Sequence, residues 1–147
     1  MRIEIQTATT LVLKIGSSLL LSQTDEDTQG LNVEWLAAMA SDIADARAKG
    51  QKIIVVTSGA LALGCAKLNL QRQDLNVAQS QAASATGQIE LVRGWQAALG
   101  AHGITTAQVL LTAEDTEQRR RYLNARQTLN ALLDMGAIPI INENDTL

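Results

Sequence analysis

Aromatic residues are nearly missing from this 147-residue chain, which has no phenylalanine, one tyrosine and two tryptophans. Its core must therefore be built from Leu, Ile, Val and Ala. Cys65 is the only cysteine, which excludes an intrachain disulfide and fits a reducing, cytoplasmic compartment. With His102 as the only histidine, a structural zinc site is excluded too. Positive charge is also short: 12 Lys and Arg against 15 Asp and Glu leave a formal net charge of −3. A nucleic-acid partner would demand a basic patch, so this balance argues against one. No apolar run approaches the roughly 18 residues needed to span a membrane. Residues 1–10 also lack the apolar stretch of a secretory signal and read as a polar lead-in.

What is present is the make-up of a globular domain, with 46% hydrophobic and 18% charged residues. Four short apolar runs, at 11–15, 52–57, 105–111 and 137–141, read as strands. The second and fourth are nearly continuous, as in strands buried on both faces. Between them lie helical patterns. Over 33–49, Leu36, Met39, Ile43 and Ala46 recur at helical spacing, with Asn32 as N-cap and Gly50 as the stop. Residues 60–101 are Ala-rich and read as two helices broken around 70–76. Residues 112–135 read as one helix, opened by a Thr112/Asp115 capping box and ended by Gly136. Residues 22–32 read as an exposed loop. The alternation implies an α/β fold, three layers with a mainly parallel sheet between helices. There is neither a solenoid repeat nor a low-complexity linker.

Ligands of open parallel sheets bind outside the carboxyl ends of the strands, and three of the four runs end in polar loops. Lys14-Ile15-Gly16-Ser17-Ser18 sets one cation beside a small turn, which suits phosphate oxygens. It lacks the spacing of a Walker A loop, and a surface lysine beside an ordinary turn reads equally well. Thr57-Ser58-Gly59-Ala60 joins a buried strand directly to a helix, where free N–H groups favour a carboxylate. The plainer alternative is a serine N-cap with a turn glycine. Asn142-Glu143-Asn144-Asp145 offers polar groups for an ammonium, or an Asx-rich turn. Arg119-Arg120-Arg121 reads as a solvated helix face. His102 falls at a helix end, remote from any triad, and Cys65 reads as packing.

These loops, with Gly64, Gln81-Ala82-Ala83, Gly87-Gln88, Leu110-Leu111-Thr112 and Tyr122-Leu123-Asn124-Ala125-Arg126, fall in one order over residues 11–147. In that order they resemble the amino-acid kinase family, and within it the members that act on glutamate. The resemblance implies transfer of phosphate from ATP, with Mg²⁺, to the side-chain carboxylate of L-glutamate, on the route to proline. It implies Lys14 as catalytic lysine and phosphate contact, with Gly16 and Ser17 as the phosphate turn. Ser58, Gly59 and Ala60 would hold glutamate, as would Asn142 and Asp145, the latter as ammonium partner. The alternatives are a kinase of acetylglutamate, aspartate, carbamate or a nucleoside monophosphate, or a non-catalytic amino-acid-binding module. The family pattern continues past Asn-Glu-Asn-Asp into a second, nucleotide-binding half. Residues 11–147 are thus expected to be the amino-acid-binding part of a truncated domain, inactive alone, with its final strand unpaired. The complete enzyme is expected to be a homo-oligomer.

Overall fold

The structure, a computed structural model, describes residues 2–22 and 30–142. The polar lead-in folds into a short helix, α1 (Arg2–Thr7), followed by β1 (Thr10–Ile15) and the helical turn α2 (Ser17–Leu20). The ends of the expected loop pair as a small antiparallel ribbon, β2 (Leu21–Ser22) with β3 (Gly30–Leu31). Then come α3 (Val33–Ala48), β4 (Lys52–Thr57), α4 (Ala60–Leu68), α5 (Val77–Gly100) and β5 (Thr106–Val109). The helices α6 (Ala113–Glu117) and α7 (Arg119–Asp134) lead to β6 (Ile138–Asn142).

The main sheet has the order β1-β4-β6-β5, parallel throughout. Strand alternation sends Ile53, Val55 and Thr57 of β4 to one face and Ile54 and Val56 to the other. The first face, with Ile15, Ile138 and Ile140, packs on Leu36, Ala40 and Ile43 of α3 and on Leu91, Trp95 and Leu99 of α5. Fully burying side chains such as these contributes about 1.5–3 kcal/mol each, so this layer carries most of the stability. The return from β5 to β6, being right-handed, puts α7 on the opposite face. None of the described residues of α7 is fully buried. Val12, on that same face of β1, is 61% exposed.

The last strand is not unpaired, as the sequence suggested, but lies between β4 and β5. The chain overshoots to form the edge strand β5 and then folds back inward. The continuous apolar run of β6 belongs in such a doubly flanked position. Pro139, which lacks an N–H, is tolerated there by register. Ile138 N donates to Thr105 O toward β5, so the missing donor of Pro139 falls on the β4 side. Pairing with β4 starts only at Val55 opposite Ile140. At the amino end of the sheet, Arg47 Nη2 donates to Gly136 O at 2.6 Å, tying the end of α3 to the turn into β6.

Helix boundaries follow local chemistry. The Asn32 side chain accepts from Trp35 N at 3.1 Å, capping α3, and Gly50 and Gly136 take the left-handed backbone expected of helix stops. The Thr112/Asp115 box forms, with Thr112 N donating to Asp115 Oδ2 at 2.7 Å. The expected single helix over 112–135 is instead split by an extended Gln118. The segment before Tyr122 has no apolar stripe to hold a continuous helix against the sheet, and an exposed Arg121–Glu114 ion pair bridges the break.

Candidate functional site

Register brings Ile15, Thr57 and Asn142 into one row across β1, β4 and β6, at the carboxyl end of the sheet. All three are buried, at 4%, 1% and 8% exposure. The loops that follow β1 and β4 therefore start side by side. Ser58 fastens the two together, because its N–H and its hydroxyl both donate to Ile15 O, at 3.3 and 3.4 Å. That hydroxyl is thus not a helix cap. The N-cap of α4 is Gly59, in a left-handed conformation with φ +108°, which has no side chain to cap the helix. The first N–H groups of this nine-residue helix thus lack the usual acceptor at the N-cap, and the positive end of the helix dipole adds to them. A carboxylate or phosphate suits that position.

Gly16 and Ser17 begin α2, with Leu19 N donating back to Gly16 O at 3.2 Å. An added Cβ on Gly59 would stand 3.6 Å from the Ser17 Cβ, so the β1 and β4 loops touch. Ala60 is buried at the start of α4. Lys14 is placed differently. One residue short of the strand end, it leaves the sheet on the face opposite Ile15 and is exposed. The structure thus brings Gly16, Ser17, Ser58, Gly59, Ala60 and Asn142 together, with Lys14 on the far side of the same sheet end. Asp145, Glu143 and Asn144 lie outside the described residues.

Gln88 joins this group from α5, a contact that no local sequence pattern marks. Asn142 Nδ2 donates to Gln88 Oε1. The contact depends on two glycines. A Cβ on Gly64 would lie 1.6 Å from Ala83 O, and one on Gly87 would lie 1.8 Å from Ala60 O. α4 and α5 are in backbone-to-backbone contact there, which sets Gln88 beside the first turn of α4. A glycine in mid-helix costs about 1 kcal/mol relative to alanine, and that was the available signal.

The remaining candidates fall elsewhere. His102 is exposed beyond the end of α5, at the amino end of the sheet. Cys65 is buried on α4. Leu110, Leu111, Asn124 and Ala125 line a groove of about 520 Å³ between α7 and the edge strand β5. Among the described residues, no group of three His, Cys, Asp or Glu side chains is arranged to hold a metal ion. No described helix is long and apolar enough to cross a membrane.

A model of the amino acid kinase family matches residues 9–147. The glutamate 5-kinase of Paramagnetospirillum magneticum is 56% identical over 137 residues, covering 93% of this chain and 36% of the relative. That of Cereibacter sphaeroides is 53% identical over 144 residues, with 98% of this chain and 38% of the relative covered. For Ruegeria sp. the glutamate 5-kinase match is 52% over 143 residues, 97% of this chain and 38% of the relative. The chain therefore spans 36–38% of the length of these curated relatives. Among solved structures, an isopentenyl phosphate kinase superposes with a TM-score of 0.62 and 15% identity, over 92% of this chain and 57% of that one. At that identity the likeness concerns the fold, and it agrees with the three-layer α/β architecture.

Proposed function

Because this chain belongs to the amino acid kinase family, we propose that it holds L-glutamate for phosphorylation of its side-chain carboxylate by ATP. The product is glutamyl 5-phosphate, an intermediate on the way to proline, and the setting is the cytoplasm. One observation carries the reading: the Ile15-Thr57-Asn142 row ends against the N-terminus of α4, whose N-cap, Gly59, has no side chain to cap it. Such a place receives a small anion. The identity to glutamate 5-kinases, above 50% for all three relatives, supports glutamate over acetylglutamate, aspartate or carbamate as that anion.

The chemistry asks little covalent work of the protein. Phosphoryl transfer depends on bringing the reactants together and neutralising charge as it moves. In this reading Ser58, Gly59 and Ala60 hold glutamate, and Asn142 with Asp145 receives its ammonium group. Gly16 and Ser17 form the phosphate turn, and Lys14, whose long side chain starts on the other face of the sheet end, reaches round it to the transferring phosphate as the catalytic cation. Mg²⁺ would enter on the nucleotide phosphates. Residues 11–147 act as the amino-acid-binding part of the kinase domain, and the working enzyme is a homo-oligomer.

Calorimetric titration of the full gene product tests the assignment. Saturable L-glutamate binding, with L-aspartate and nucleoside monophosphates much weaker, is expected. Aspartate or a nucleotide binding in place of glutamate would overturn it.

A further inference from the structure

The proposed site gives Gln88 no role, although it is hydrogen-bonded to Asn142, which that reading places at the ammonium group. Asn142 Nδ2 donates to Gln88 Oε1, which uses half of each carboxamide. The other halves, Asn142 Oδ1 and Gln88 Nε2, are buried and have no hydrogen-bond partner among the described residues. Asn142 is 8% exposed, at the end of the row that reaches the strand-end loops. A polar atom buried in this way is destabilising unless something pairs with it, and native proteins seldom leave one so. Turning both amides over changes nothing in the count, because one donor and one acceptor remain in either arrangement. The group that completes the pair must therefore offer an acceptor and a donor close together. An α-carboxylate and an α-ammonium on one carbon have that form.

We infer that Gln88 is a positioning residue for the amino-acid substrate, which holds the Asn142 carboxamide so that the pair reads the ammonium and carboxylate of the substrate's head. The inference rests on the glutamate reading above. Its structural support is the way α5 is fixed. Gly87, next to Gln88, meets the Ala60 carbonyl so closely that α5 cannot shift along or away from α4 without losing that contact. Gln88 is thereby held at a constant distance from the N-terminus of α4, where the same reading puts a carboxylate. The amide pair supplies selectivity for the amino acid over a plain dicarboxylate, and the helix end supplies attraction for the anion.

The test compares L-glutamate with glutarate, which lacks only the ammonium group, by calorimetric titration of the full gene product. Gln88→Met removes the amide and keeps the side-chain length. It should reduce the glutamate-to-glutarate affinity ratio by about ten-fold or more, as expected when a hydrogen-bonded group loses its reader. Gln88→Glu retains an oxygen for Asn142 Nδ2 but sets a carboxylate where the free N–H was, so it should weaken both ligands while keeping the glutamate-to-glutarate ratio at or above about a third of the wild-type value. A purely structural role would weaken both ligands in proportion and leave the ratio unchanged. An unchanged ratio in a folded Gln88→Met protein overturns the inference, as does a Gln88→Glu ratio that falls as far as that of Gln88→Met. If the unaltered protein binds no glutamate, the glutamate assignment itself falls and this inference with it.

Discussion

At Gly87 a single added methyl group would stand 1.8 Å from the Ala60 carbonyl oxygen and 2.6 Å from the Gly64 nitrogen. Both neighbours are backbone, so nothing flexible can give way. Gly87→Ala should therefore destabilise the fold by about 1–3 kcal/mol or more, read as a lower urea midpoint. A second effect at this scale is electrostatic. The N–H and then the hydroxyl of Thr112 both donate to Asp115, holding its carboxyl below the usual carboxylate range. With the folded value below the unfolded one, the box stabilises the protein above the ordinary aspartate range. That contribution is lost as pH falls through the lowered value. Asp115→Asn should flatten the acid side of a curve of thermal midpoint against pH. Caps of this kind were legible in the sequence, because donor and acceptor lie three residues apart. Ser58 was not: its hydroxyl goes to Ile15 O, 43 positions away, and only the folded sheet makes them neighbours. Gln88 was named with Gly87 in the family pattern, but its contact to Asn142 escaped for the same reason, the two being 54 positions apart.

Among the elements, α3 shows how far local signals reach. Its N-cap, apolar stripe and stop glycine are all visible in the sequence; of that stripe Leu36 and Ile43 are buried and Met39 and Ala46 partly so, while the buried Ala40 was not in it. Asn32→Ala should cost about 1 kcal/mol, since the cap on Trp35 N is lost while the buried face remains. Equilibrium urea unfolding with an unchanged slope would show it. The strands were equally plain as apolar runs, but their order was not. Whether β6 sits at an edge or between β4 and β5 is decided by the crossovers. The one local hint, Pro139, points the wrong way, because proline usually marks an edge. The break at Gln118 was hidden as well. It reflects the lack of apolar residues before Tyr122, since the apolar positions of 112–135 at helical spacing, Tyr122, Leu123, Leu129, Leu132 and Leu133, all lie from there on.

For the molecule as a whole, stability and ligand binding are linked. Glutamate at a hundred times its dissociation constant should stabilise the protein by about 2.7 kcal/mol. For a chain of this size that raises the thermal midpoint by roughly 5–10 °C. Asp145→Ala should weaken glutamate by about 2 kcal/mol, if its carboxylate meets a desolvated ammonium, and shrink that rise accordingly. Unchanged affinity would make Asp145 a turn residue only. The α/β class, the four strands and the three polar loops were all open to a reader of the chain. That Ile15, Thr57 and Asn142 share one row depends on parallel register, a long-range property that composition and periodicity do not carry. The scarcity of aromatic residues has an optical consequence. Trp95 is wholly buried on α5 and Trp35 is half-buried on α3. Trp95 follows Gln88 by two helical turns, about 10 Å along the same helix face. A Trp35→Phe protein would keep one buried indole, blue-shifted in emission and stationed close to the amide pair. The protein would then signal occupancy of its own site by fluorescence, with no label attached.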